Sequence, residues 1–337
     1  MRIEQARQVA RQWVLEEGAK LPGFGGAFLT GSVLWADPGD ELAVSSDVDV
    51  MVVADPAAHI GHIGKFHYEG VLLEVSSMVA PRSVHDVLSD YHLAGSLHLP
   101  GLLADPTGRL SEIHRVVARD FAERPWVLAR CTGAMDRVRG WINGIDESAS
   151  LPAQVTSWLF GTGVTTHVLL VAGLRNPTVR RRYAAVRDLL AEHGRLEYHE
   201  SLLDLLGCAH LSRAQVEGHL AMLEKVFDAT APLRVPAYRF DTDLSPVARP
   251  AAIDGTRELI AAGLHREAVF WLVATYARCL DKRALAGERG FEDGFGELLA
   301  DLGVATPADR RRRADRVLAA LPGLWQTATT LLSASRS

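Results

Sequence analysis

Apolar residues at Ile3, Ala6, Ala10, Trp13 and Val14 recur at helical spacing, with Glu4, Glu16 and Glu17 among them, and predict an amphipathic helix at the start of the chain. The period then shortens. Residues 26–30 read as a short apolar strand running into Gly31-Ser32, a Pro/Gly/Asp-rich loop follows at 37–41, and 47–54 is a valine-rich second strand. Runs at 65–68 and 71–79 flank Glu69-Gly70 as a hairpin; 83–89 reads as a short helix, 102–104 as a short strand and 108–122 as a helix. From Arg124 onward strand signals vanish. Apolar positions recur every three or four residues through 150–174, 179–192, 197–207, 212–229, 251–262 and 265–283, interrupted by a proline-rich crossing loop from Pro232 to Pro250. The expected fold class is α+β, with a small mixed-sheet head over 1–123 followed by an all-α helical domain over 124–337.

Composition narrows the class of protein. Among 337 residues, 48% are hydrophobic and 23% charged, which excludes a disordered chain, and the net charge of −5 supplies no global positive field for nucleic acid or an anionic bilayer. Nucleic acid is therefore not an expected partner. Cys131, Cys208 and Cys279 are far apart and form no C-x-x-C pair, which argues for a reducing compartment. The first helix carries acidic residues unlike a signal peptide, and a cytoplasmic location is expected. The most apolar stretch, 158–174, contains His167, three threonines and three glycines, and reads as a buried helix rather than a membrane span.

The candidate chemistry lies in the head. In a strand, residues two apart share a face, so Asp47 and Asp49 project side by side while Val48 and Val50 enter the core. Adjacent carboxylates repel, and a divalent cation such as Mg²⁺ removes the conflict. Glu74, in the later run Leu72-Leu73-Glu74-Val75, offers a third carboxylate for metal or for the proton of an attacking hydroxyl. Gly31-Ser32, where a strand ends and a turn or helix begins, offers backbone N–H groups and a hydroxyl to phosphate oxygens. These parts suit in-line attack on an α-phosphate, with two Mg²⁺ ions holding nucleophile and leaving pyrophosphate.

Gly31-Ser32, a fourteen-residue spacer, Asp47-Val48-Asp49 and then Leu73-Glu74-Val75-Ser76 resemble the nucleotidyltransferase superfamily whose fold is shared with DNA polymerase beta, and within it the aminoglycoside nucleotidyltransferases. The resemblance implies Gly31 and Ser32 for nucleotide phosphate, Asp47 and Asp49 for Mg²⁺, and Glu74 for metal and base. It covers about residues 20–110; the spacer is longer than usual in that family by the loop at 36–41. The implied activity is transfer of a nucleoside monophosphate, with AMP from ATP as leading donor among the NTPs, to a hydroxyl of a small, possibly polycationic acceptor. An aminoglycoside-type antibiotic leads, making antibiotic resistance the implied role. Nucleotidylation of a protein or tRNA end and a catalytically inactive nucleotide-binding module are the alternatives.

In the helical half, Phe270, Val273, Ala277 and Leu280 form a core stripe that leaves Trp271, Thr275, Arg278 and Lys282 on another face, where Arg278 and Lys282 can contact the triphosphate or form a solvated cationic face. Asp241, Asp243 and Glu258 are candidates for a cationic acceptor. The basic runs Arg180-Arg181-Arg182 and Arg310–Arg313 read as solvated helix faces. His59, His62, His67, His85, His92 and His98 crowd the head without a nearby cysteine and read as surface or hydrogen-bonded histidines, not as a zinc site.

Overall fold

Every second residue from Val48 to Val52 is a valine, and that alternation gives the head its two-faced sheet. The computed structural model describes residues 1–334 apart from 59, 61–62 and 178–179. Strands β1 (Phe24–Thr30), β2 (Val48–Ala54), β3 (Gly64–Tyr68), β4 (Val71–Val79) and β5 (Leu102–Ala104) form one mixed sheet in the order β3-β4-β2-β1-β5. β2 and β4 are parallel, and the other neighbours are antiparallel. Val48, Val50, Val52, Leu73 and Val75 bury one face in a core with Ala10, Trp13 and Val14 of α1 (Ile3–Glu16). A short helix, α2 (Gly31–Trp35), leaves the end of β1.

The opposite face buries Phe28 and Val53 among residues of α3 (Val84–Ser89), α4 (Tyr91–Leu97) and α5 (Arg109–Asp120). Nothing in the hydrophobic pattern indicated α4, which contains Gly95 and Ser96. Gly95 lets that helix lie close to Pro177, whose Cδ would be 3.4 Å from an added Cβ.

The loop at 37–41 has a structural use. Ile3 N–H donates to the Asp40 carbonyl at 2.9 Å and Glu4 N–H to the Pro38 carbonyl at 3.1 Å, satisfying donors that the first turn of α1 cannot satisfy itself. One turn further on, the Arg7 guanidinium donates to the carbonyls of Val33 at 2.7 Å, Leu34 at 3.2 Å and Ala36 at 2.8 Å. The end of α2 is thereby tied to α1.

The boundary between two compact units falls within α6 (Arg124–Asn143). One unit is Met1–Arg130 with Asn176–Val179, and the other is Cys131–Arg175 with Arg180–Ser337, whereas the sequence pattern put the division at 123/124. Among the described residues the second unit contains helices and no strand: α7 (Leu151–Ala172), α8 (Arg182–Glu192), α9 (Leu196–Leu206), α10 (Arg213–Thr230), α11 (Gly255–Ala261), α12 (Val269–Leu285), α13 (Glu292–Asp301) and α14 (Pro307–Ala334). The last two lie beyond the segments singled out by periodicity. α7 is long and apolar enough to cross a membrane, yet 83% of its most apolar window is buried inside the protein, as a core helix would be.

Burial in this unit corrects several expectations. α12 packs on α7, α10 and α13 and is enclosed on nearly every side, so Thr275 and Lys282 are buried along with the apolar stripe. The Lys282 ammonium bonds the Asp241 carboxylate at 2.8 Å and the carbonyls of Asp241 and Leu244 at 3.0 and 3.1 Å. Its three N–H donors are matched by three oxygens inside the protein, so it is presented neither to solvent nor to a triphosphate. Asp241 is correspondingly not an open site for a cationic acceptor. Burial opposes its charge, but hydrogen bonds from Lys282 and the Val235 N–H hold its carboxyl below the ordinary range.

The arginine runs are also not uniformly solvated. Arg182 is buried with its guanidinium 4.6 Å from the Phe270 ring centre, and buried Arg310 donates to the Val304 and Ala305 carbonyls and to Gln154.

Lys282→Ala should destabilise the protein by about 3–5 kcal/mol in urea unfolding, because it strands the buried Asp241 carboxylate and two carbonyls. Arg278→Ala, which removes an ion pair and contacts with the Phe240 and Trp271 rings from a side chain 16% exposed, should cost about 1–2 kcal/mol. Equal small losses in both variants would remove Lys282 from the core.

Candidate functional site

The hairpin turn sets the register from which the site is built. Glu69 and Gly70 both have positive φ, at 46° and 78°, as a two-residue turn of this twist requires, and Tyr68 pairs with Val71. Counting back along both strands pairs Lys65 with Glu74. The parallel β2·β4 ladder pairs Glu74 with Asp49, and the antiparallel β1·β2 ladder pairs Asp49 with Thr30. Lys65, Glu74, Asp49 and Thr30 thus form one row across four strands, and Asp47 lies just before β2.

One carboxylate oxygen from each of Asp47, Asp49 and Glu74 lies within 4.8 Å of the other two. Three ligands about one Mg²⁺, with bonds of about 2.1 Å, stand roughly 3.0 Å apart when adjacent and roughly 4.2 Å when opposite, so these oxygens must draw together to close on an ion. The Lys65 ammonium already lies among these groups, bonded to the carboxylates of both Asp47 and Glu74. A cation therefore fits here, and the all-oxygen donor set suits Mg²⁺.

Electrostatics follow from the crowding. Burial first, and then the negative charges of Asp47 and Glu74, push the Asp49 carboxyl well above the usual carboxylate range, against the pull of Lys65. Gly31 makes room for Asp49. It has φ +67°, and a Cβ there would sit 1.8 Å from Asp49 Oδ2, so both its backbone conformation and its missing side chain are required. Ser32 is half-buried in the first turn of α2. Beside this turn is a cavity of about 210 Å³, lined by Thr30, Gly31, Asp49 and Met51 of the sheet side and by His92 and Ser96 of α4.

The structure accordingly brings Gly31, Asp47, Asp49 and Glu74 together, with Ser32 next in the chain. Arg278 and Lys282 belong to the other unit. There Arg278 lies 3.8 Å from the Phe240 ring centre and 3.4 Å from Asp243, while Glu258 is exposed.

Lys65 was not singled out from the sequence as a site residue, although the hairpin count that pairs it with Glu74 was available. His92 and Ser96 depend on a helix that the pattern did not reveal. Among the other histidines, His67 and His85 are exposed, and His59 and His62 lie outside the described residues. His98 stacks on Phe121 with ring centres 3.6 Å apart, and burial lowers its pKa to about 4. Among the described residues, no histidine joins the carboxylate group as a potential metal ligand. Compared with protein-family models, curated proteins and solved structures, the chain matches none.

Because its folded-state pKa is raised, the favourable contribution of protonated Asp49 is present at low pH and is lost as pH rises through that pKa. Without metal at about pH 8, Asp49→Asn should therefore stabilise the protein by ~1 kcal/mol in thermal unfolding, with the gain shrinking toward about pH 4. Stabilisation of the wild type by added Mg²⁺ should be greater at about pH 8 than at about pH 5, since protons compete for the same oxygens. Gly31→Ala should remove that stabilisation by displacing Asp49.

Proposed function

We propose that the protein is a Mg²⁺-dependent nucleotidyltransferase that moves a nucleoside monophosphate, first of all AMP from ATP, onto a hydroxyl of a small molecule. The observation that supports this most is the convergence of Asp47, Asp49 and Glu74 on one point beside the Gly31 turn. Three convergent carboxylates can hold the metal on which metal-assisted phosphoryl chemistry depends. A cytoplasmic enzyme with an aminoglycoside-type acceptor, and hence a role in antibiotic resistance, completes the proposal.

In this mechanism Asp47 and Asp49 hold the metal, and Gly31 and Ser32 bind phosphate oxygens through backbone N–H groups and the hydroxyl. When bound, Mg²⁺ supplies charge neutralisation for the reacting phosphate and its leaving group. Glu74 accepts the proton of the acceptor hydroxyl as that oxygen bonds to the α-phosphorus. The bond from the α-phosphorus to the bridging oxygen breaks, and pyrophosphate leaves with the electron pair. The strand positions of Asp49 and Glu74 fix their spacing before substrate arrives.

Mass spectrometry of an acceptor panel incubated with each NTP and Mg²⁺ tests the proposal, because the added mass reports donor and acceptor together. Asp47→Asn and Asp49→Asn should each abolish transfer without unfolding the protein. Glu74→Gln should lower kcat by at least about 10²-fold while changing ATP affinity much less. An unmodified panel under every condition would count against the enzyme reading. The Lys65 bridge favours one second reading, a nucleotide-binding module in which an ammonium has replaced the metal. That module would bind ATP equally well with and without Mg²⁺ in calorimetry.

A further inference from the structure

Lys65 is placed with little freedom. On β3, Phe66 and Tyr68 pack into the core on the α1 side of the sheet, with the Phe66 and Trp13 ring centres 5.5 Å apart. Strand alternation therefore puts residue 65 on the carboxylate face. The hairpin register sets it opposite Glu74, and its side chain is 9% exposed. From there its ammonium reaches two of the three carboxylates that would hold a divalent ion. An ammonium and a dication drawn to the same carboxylates repel each other at such range, so each weakens the other's hold on them.

We propose that Lys65 is the resident counter-ion of this site, displaced from Asp47 and Glu74 when the divalent ion binds and taken up by phosphate oxygens of the arriving nucleotide. This inference rests on the proposed nucleotidyltransferase function. β3 is an edge strand of the sheet, so a long, unbranched side chain on it can swing without moving a neighbouring strand. A triphosphate supplies the anionic oxygens that a displaced ammonium needs. Metal and nucleotide consequently bind as a coupled pair, each tightening the other by the same factor. With no nucleotide to receive it, Lys65 keeps the metal affinity low.

Calorimetric titration of Mn²⁺ into the wild type, Lys65→Met, Lys65→Gln and Lys65→Arg, with and without a non-hydrolysable ATP analogue, tests this directly. Circular dichroism checks that each variant is folded, and the glutamine variant provides a second neutral side chain should methionine disturb the hairpin. The wild type should bind Mn²⁺ weakly alone and at least about tenfold more tightly with the analogue. Lys65→Met and Lys65→Gln should bind Mn²⁺ alone at least about tenfold more tightly than the wild type and lose most of the coupling, whereas Lys65→Arg should retain it. Unchanged or weaker Mn²⁺ binding in the neutral variants would overturn the proposal and make Lys65 a support for the carboxylates. Full coupling retained without Lys65 would overturn it too. Absence of Mn²⁺ binding in every protein, with or without the analogue, would remove the metal site and the proposed function along with this inference.

Discussion

Like-charge repulsion among Asp47, Asp49 and Glu74 is the constraint around which the head is organised. Two of these side chains stand opposite each other on hydrogen-bonded parallel strands, and the third is two residues from one of them. The ladder does not let them drift apart. The raised pKa of Asp49, the bridging ammonium of Lys65 and the missing side chain at Gly31 are local consequences of this crowding. Such an arrangement is costly for a fold and useful to a site that must hold a cation.

The surrounding architecture keeps that arrangement in place. Apolar residues alternate along β2 and β4, so one face of the sheet is filled against α1 while the acidic row emerges on the other. The Gly31 turn is secured at a distance: Arg7 on α1 ties the end of α2, and the carbonyls of Pro38 and Asp40 complete the first turn of α1. The long spacer between Ser32 and Asp47 thus serves the helix that backs the sheet. Its length reflects a structural task and does not itself indicate an acceptor.

Charge is handled differently in the helical unit. Lys282 is matched by one carboxylate and two carbonyls, and the two terminal nitrogens of Arg310 bond two carbonyls and a glutamine side chain. Cations held in this way brace loops and helix ends; they gain little from a ligand and lose much when a partner is removed. In the head, a single ammonium spans two carboxylates beside a third that burial and repulsion keep difficult to ionise. The difference between charge satisfied within the fold and charge compensated in part separates structural ion pairs from the candidate site.

Much of the head is determined by local rules visible in the sequence. Period-two alternation locates β2 and β4, the Glu69-Gly70 turn fixes the hairpin, and the hairpin register pairs Lys65 with Glu74. Spacing alone places Asp47 and Asp49 near one another, and a glycine is required where the chain turns beside Asp49. The parallel pairing of β2 with β4 depends on a crossover rather than a turn, so the meeting of Asp49 and Glu74 was decided in three dimensions. Tertiary structure likewise determined the helical half. Periodicity can identify a helix and its most apolar stripe, but a helix enclosed on all sides also buries its polar positions. Whether Lys282 met solvent, phosphate or Asp241 depended on what packed over α12. The same holds for the place of α4: Asp90 caps the helix locally, accepting from the His92 and Leu93 N–H groups, but Pro177, Trp35 and the sheet decide where it lies. Local periodicity records the conformation that a segment prefers, whereas the partner of a buried charge is chosen by distant segments that reach it only when the chain has folded.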